Sequence, residues 1–194
     1  VKYRDEGQPV MTTPHSVKDA VDNAVRLMRG IKHVHQLSFG IDPGPRPGLA
    51  WLADGVVLGV AQLEHIENLA PQIIGISSAL EFGQIVIRIG DGAPLNRDRI
   101  INDCLTHQLA LEVVNEAKTS RGLLRHNHVI SAIRIAMIPG ERVWEFRELQ
   151  PTEGEVREIQ RQSRKKSNGR KTISSQIAYA VACGEMSLEE AIER

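Results

Sequence analysis

The chain divides by the period of its apolar positions. After Ser16, which forms a capping box with Asp19, Val17, Val21, Ala24 and Met28 recur at helical spacing, and Gly30 supplies a stop. His35 to Asp42 reads as a buried strand. Pro43, Gly44, Pro45, Pro47 and Gly48 then make a stiff turn before a second strand, Leu49 to Ala53. Asp54-Gly55 is a strong two-residue hairpin signal and leads into a third strand, Val56 to Leu63.

Beyond Leu63 the period changes. Pro71, Ile73, Ile74, Ile76 and Leu80 suit a helix, with Pro71 tolerated in its first turn. Gln84 to Ile89 is a short β-branched run ending in Gly90-Asp91-Gly92. Asn96 is placed to cap a helix carrying Ile100, Ile101, Cys104, Leu105 and Leu109 on one face. Leu111 to Val114 is another buried strand, and Val129, Ile130, Ile133, Ala136 and Met137 make a last core helix stopped by Pro139-Gly140.

The resulting order is β-β-β-α-β-α-β-α. Three hairpin-linked strands followed by two crossovers give a mixed five-stranded sheet of order 3-2-1-4-5, because β-α-β crossovers make parallel, right-handed connections. The first strand is then central and its carboxyl end lies beside that of the fourth, the edge where open α/β sheets bind ligands.

Composition changes this picture in few places. The chain of 194 residues is 41% hydrophobic, enough for one cored domain with appendages, and its formal net charge is zero, which argues against a general polyanion binder. The average hides a local excess. Residues 161 to 171 hold Arg161, Arg164, Lys165, Lys166, Arg170 and Lys171 without one acid. Ser163, Ser167, Asn168 and Gly169 between them suggest a flexible loop, either a solvated linker or a segment ordered on contact with phosphates. Cys104 and Cys183 have no disulfide or zinc spacing, which fits a reducing compartment. The first residues are not a secretory signal, and no apolar run approaches the ~20 residues of a membrane span. A cytoplasmic, soluble protein is expected.

Candidate chemistry gathers at the predicted strand ends. A carboxylate at the end of a buried strand, as at Asp42, is costly without partners or metal. Asp91 ends the neighbouring strand, and two acids that converge there would suit Mg²⁺ or Mn²⁺. Flanked by Gly90 and Gly92, Asp91 reads equally well as a turn residue. Glu116 follows the fifth strand. His128 and Ser131 share one helix face, with His128 a metal ligand, a base, or simply a cap.

Several segments resemble one family in a common order. Phe39-Gly40-Ile41-Asp42-Pro43-Gly44 with Gly48-Leu49-Ala50 is similar to the first strand of the RuvC and YqgF branch of the ribonuclease H-like superfamily. Ile85 to Gly90 with Pro94-Leu95-Asn96 resembles a V-G-x-P-L-N segment of YqgF-type proteins. Leu111 to Ser120 resembles their V-x-D-E-R-x-T-T segment, with Asn115 where Asp is usual. His128 to Ala136 resembles the D-x-x-D-A-x-x-I-A helix of RuvC-type resolvases. The likeness covers about residues 36 to 138. It implies a ribonuclease H-like fold and a Mg- or Mn-dependent nuclease on structured nucleic acid. Asp42, Glu116 and His128 would be catalytic, and Asp42, Asp91 and Glu116 would hold the metal. Ser131 departs from the pattern, standing where a metal-binding Asp is expected. An inactive ribonuclease H-like scaffold or nucleic-acid-binding module is therefore the alternative.

The chain is thus expected to comprise an N-terminal helical extension (1–33), the α/β domain (34–140) and a helical C-terminal appendage (141–194). That appendage would consist of a charged linker, the basic run and a pair of helices. Expected partners are DNA or RNA, bound through Arg161, Arg164, Lys165, Lys166, Arg170 and Lys171, with a homodimer as an option and no membrane.

Overall fold

A computed structural model describes residues 34–115 and 128–194. The helix expected near Ser16 to Gly30, and Glu116, lie outside the described residues.

The hairpins form where their turn chemistry demands. β1 (Val34–Asp42) pairs antiparallel with β2 (Gly48–Ala53), and β2 with β3 (Val56–Gln62). Asp54 and Gly55 have φ of 48° and 81°, the positive values a tight hairpin turn requires. The Asp54 carboxylate also accepts from the His35 and Gln36 amides at 3.1 and 2.8 Å, fixing the start of β1. A short 3₁₀ turn (Ile66–Asn68) precedes α1 (Leu69–Ser78), and β4 (Phe82–Gly90) then runs parallel to β1. α2 (Pro94–Thr106) leads to β5 (Leu111–Val114), parallel to β4. α2 begins two residues before the expected cap at Asn96. Pro94 occupies its first turn, where no amide is required, and Ala93 takes a left-handed conformation with φ of 40°. α3 (His128–Met137) follows.

Among the described residues the sheet has six strands, not five, in the order β3-β2-β1-β4-β5-β6. The sixth is β6 (Glu141–Val143), antiparallel to β5. Its Glu-Arg-Val looks polar and was expected to be linker. An edge strand of three residues needs only one inward side chain, and Val143 supplies it, buried against the core.

Strand alternation gives the sheet two unlike faces. Leu37, Phe39, Ile41, Leu49, Trp51, Ile87 and Ile89 point to one side. They form the main core with Leu69 and Ile73 of α1 and Ile100, Ile101 and Cys104 of α2. On the other side Ala50 and Leu52 meet Ala132 and Ala136 of α3. Beside Leu52 that face is built of small residues where α3 lies almost on the strands. A Cβ added to Gly40 would collide with the Ala132 carbonyl oxygen, and one added to Gly48 with that of His128.

The C-terminal segment forms three helices, where a pair was expected: α4 (Glu153–Lys166), α5 (Ser175–Cys183) and α6 (Leu188–Glu193). Capping boxes at Thr152/Glu155 and Ser187/Glu190, and a left-handed Gly184, set their ends. They share a small core of Ile173, Ala178 and Ala191, against which Val156 and Ile159 pack. Buried Ser163 ties α4 to the loop after it, donating to the Gln160 carbonyl at 2.8 Å and accepting from the Ile173 amide at 3.2 Å. The chain leaving the sheet is anchored on its way to the bundle. Asn102 pairs with both backbone groups of Arg147 at 2.8 and 2.7 Å, and the Tyr179 hydroxyl donates to the Leu149 carbonyl at 3.2 Å. No helix among the described residues is long and apolar enough to cross a membrane.

Candidate active site

Asp42 is the last residue of the central strand. On the α3 face it follows Gly40 by two positions, and its partner across the hairpin is Gly48. On the other side the β1–β4 register continues from Ile41–Ile89 to bring Gly90 level with it. The Asp42 carboxylate thus stands between two glycines, with no side chain crowding it from either neighbouring strand. His128, the first residue of α3, fills part of that space. Its Nδ1 donates to Asp42 Oδ2 at 2.7 Å.

Burial holds the Asp42 carboxyl above its ordinary range, although the hydrogen bond and charge of His128 pull the other way. Its side chain is 16% exposed and that of His128 45%. A desolvated carboxylate bonded to a half-exposed imidazole can do two things. It can orient the ring, because an ionised carboxylate only accepts and so keeps the proton on Nδ1, leaving Nε2 as the basic nitrogen of the neutral ring. It can also offer oxygen to a cation, which would relieve the cost of its burial.

The remaining expected site residues divide. Asp91 follows β4, its amide donating to the Val114 carbonyl at 3.1 Å and its carbonyl accepting from Arg97 Nη1 at 3.1 Å. The carboxyl ends of β1 and β4 are therefore neighbours as expected, with Asp91 one residue beyond the row that holds Asp42. Ser131 lies one turn along α3 from His128, partly buried. Among the described residues, no three His, Cys, Asp or Glu side chains lie together as a metal-holding group. Cys104 is no candidate nucleophile, since burial pushes its thiol up to about 12.

The basic run differs from the expected loop. Arg161, Arg164, Lys165 and Lys166 lie on α4, and only Arg170 and Lys171 lie beyond its end. Asn168 and Gly169 adopt left-handed conformations, with φ of 53° and 80°. The Ser167 hydroxyl accepts from the Lys171 amide at 2.9 Å, so these residues make a tight turn. Helix formation wins here because α4 buries its other face, leaving these side chains outward. Several already have partners. Arg161 donates to both Glu158 oxygens at 2.7 and 2.6 Å, Lys166 pairs with Glu189, and Lys171 Nζ donates to the Ile192 carbonyl at 2.8 Å.

A cavity of about 1010 Å³ lies between the sheet edge and the bundle, bordered by Pro45 and Arg46 just after Asp42, by Arg99 and by Lys166. Each of these cations is paired with a glutamate that also borders the cavity, Glu64, Glu67 and Glu189 respectively. The cleft is therefore not a ready-made trough for phosphate.

Two residues beneath the site were not anticipated. Arg88 of β4 and Glu112 of β5 are register partners and pair at 3.0 Å, with side chains 12% and 18% exposed. Their signal was available in the sequence, as opposite charges each set inside an apolar run predicted to be an adjacent strand.

Residues 152–194 match a family described as a three helical bundle domain. The match coincides with α4 to α6 and leaves the sheet and Asp42 outside it. No curated protein and no solved structure matches the chain.

Proposed function

We propose that the chain is a ribonuclease H-like nucleic-acid-processing protein, with Asp42 and His128 at the centre of a divalent-metal-dependent phosphodiesterase site. The observation that carries the reading is the 2.7 Å bond between Asp42, ending the central strand, and His128, opening the helix that covers it. The strand order β3-β2-β1-β4-β5, with β4 and β5 parallel to β1, agrees with the fold that the sequence resemblance implies. A desolvated carboxylate is a ligand that Mg²⁺ or Mn²⁺ would satisfy, with Asp91 and Glu116 as the further acids on this reading. Bound there, the cation would supply an activated water and stabilise the leaving oxygen. Asp42 would hold the His128 ring with its Nδ1 protonated, and His128 Nε2 would accept a proton from the water that attacks phosphorus as the bond to the leaving oxygen breaks.

Nucleic acid would approach along the exposed side of α4, where Arg164 and Lys165 project. The test is fluorescence anisotropy on branched, single-stranded and duplex probes at several salt concentrations. Each phosphate neutralised contributes about −0.9 to the slope of log K against log salt on duplex DNA. Replacing Arg164, Lys165 and Lys166 with Ala is expected to flatten that slope by up to about 3 and to weaken every sequence alike. An unchanged slope removes the basic run from the interface, and a wild type that binds no probe at low salt removes nucleic acid.

Ser131 favours a second reading, a scaffold that keeps the fold without the chemistry. A neutral hydroxyl one turn from His128 is a weaker divalent ligand than the aspartate of the resembling family. On that reading nucleic-acid binding persists while Asp42→Asn changes nothing.

A further inference from the structure

We propose that Arg88 is a positioning residue for the Asp42–His128 pair, setting the place of α3 along its own axis from the end remote from the site. The importance of that pair for catalysis rests on the function proposed above.

The contact between α3 and the sheet is close. Gly40 and Ala50 face Ala132 and Ala136 at the close approach, with Leu52, Val57 and Ile133 packed beside them, and non-directional apolar packing of this kind only loosely defines a position along the helix axis. Among the described residues, directional bonds to the far end of α3 come from Arg88, which stands beside Gly40 in the register of β1 and β4. Its Nη1 donates to the Ala136 carbonyl at 2.5 Å, and its Nε to Glu112 Oε2 at 3.0 Å. The same Glu112 oxygen accepts from the Gly140 amide at 3.2 Å. One guanidinium and one carboxylate thus grip both the last turn of α3 and the chain just after it.

Ala136 is one of the last four residues of α3, whose carbonyls have no partner within the helix, and a cation there also meets the negative end of the helix dipole. His128 lies eight residues earlier, about 12 Å along the axis at 1.5 Å per residue. A slide of about 1 Å at one end is carried rigidly to the other and lengthens a 2.7 Å hydrogen bond beyond the range in which it counts as one. Stability does not explain the pair well, because a well-packed apolar pair would serve an interior position as well or better. Directional hydrogen bonds to a helix end define its position along the axis more sharply than non-directional apolar packing does.

The test reads the His128 ring directly in the full-length chain. In ¹⁵N-labelled protein, two-bond correlations of the imidazole distinguish a proton on Nδ1 from one on Nε2. Wild type is expected to show the Nδ1–H form, with a proton sheltered from exchange by Asp42. Arg88→Met, which keeps length and apolar contact, is expected to lose that signature while retaining the wild-type circular dichroism, and Arg88→Lys to restore part of it. A ring signature in Arg88→Met identical to wild type overturns the proposal. If Arg88→Met does not fold, Glu112→Gln decides by the same readout, loss supporting the proposal and retention overturning it. Mn²⁺ addition, read by paramagnetic broadening of the same ring, separates the two levels. A signature that depends on Arg88 while wild type shows no broadening leaves the positioning role standing and removes the metal-dependent function.

Discussion

The two faces of the sheet solve different problems with the same strands. One is filled by Leu37, Phe39, Ile41, Leu49, Trp51 and Ile87 against two helices, and carries most of the apolar burial. The other offers Gly40, Ala50 and Gly48 to the backbone of one helix, and at its end holds the desolvated Asp42 against His128. Burial of large side chains stabilises the fold but keeps helices farther from the strands. Small residues give up that stabilisation and bring a helix terminus close enough for a 2.7 Å hydrogen bond. The first face holds the protein together and the second assembles the site.

Substitutions on adjacent residues should separate these roles. Phe39→Ala opens a cavity in the large-residue core and is expected to cost about 3–5 kcal/mol in urea unfolding, with the His128 Nδ1 bond intact in the folded fraction. Gly40→Val is expected to cost at least about 1–3 kcal/mol, because its Cβ would meet the backbone of α3, and to abolish the Asp42–His128 bond by lifting that helix. Equal loss of the bond in both variants would mean that the faces are not separable.

The bundle provides a third reference. Ser163→Ala removes a buried hydroxyl bonded to Gln160 and Ile173, and about 1–2 kcal/mol should be lost from the bundle. Hydrogen exchange should speed up in α4 to α6 and stay unchanged at β1 and α3. A response spread through the sheet would show that the two regions unfold as one.

The smallest effect is at Asp42, and its sign is informative. The folded state releases this proton at higher pH than the unfolded chain does, because burial outweighs the pull of His128. Wild-type stability therefore falls as pH rises from the unfolded carboxyl value to the folded one, and stays lower above that window. Asp42→Asn escapes this loss, so its Tm should gain on wild type through the acid range and then hold level. A wild type that gains on Asp42→Asn with rising pH would show that His128 stabilises the carboxylate more than burial costs it.

How far the sequence carries the account depends on the scale of the cause. The strand order from β3 through β5 and the central place of Asp42 were legible, since hairpin turns and crossovers are local and chirality limits their arrangement. β6 was not, because Glu141 and Arg142 dominate its pattern and only Val143 points inward. The helical state of Arg161 to Lys166 was hidden by its composition, which signals solvent exposure whether the backbone is coiled or helical. The pairing of Asp42 with His128 spans 86 residues and depends on two glycines that a linear reading takes for an ordinary strand position, Gly40, and part of a turn, Gly48.

The most direct test of the site is thermal unfolding of wild type and Asp42→Asn under Mn²⁺ titration, with Ca²⁺ and ionic-strength controls. A cation held by the folded state at ten times its Kd adds about 1.4 kcal/mol, a rise of several degrees in Tm for a chain of this size. The account predicts that rise in wild type and its loss in Asp42→Asn. The same response in both proteins, or none in either at millimolar Mn²⁺, would contradict it.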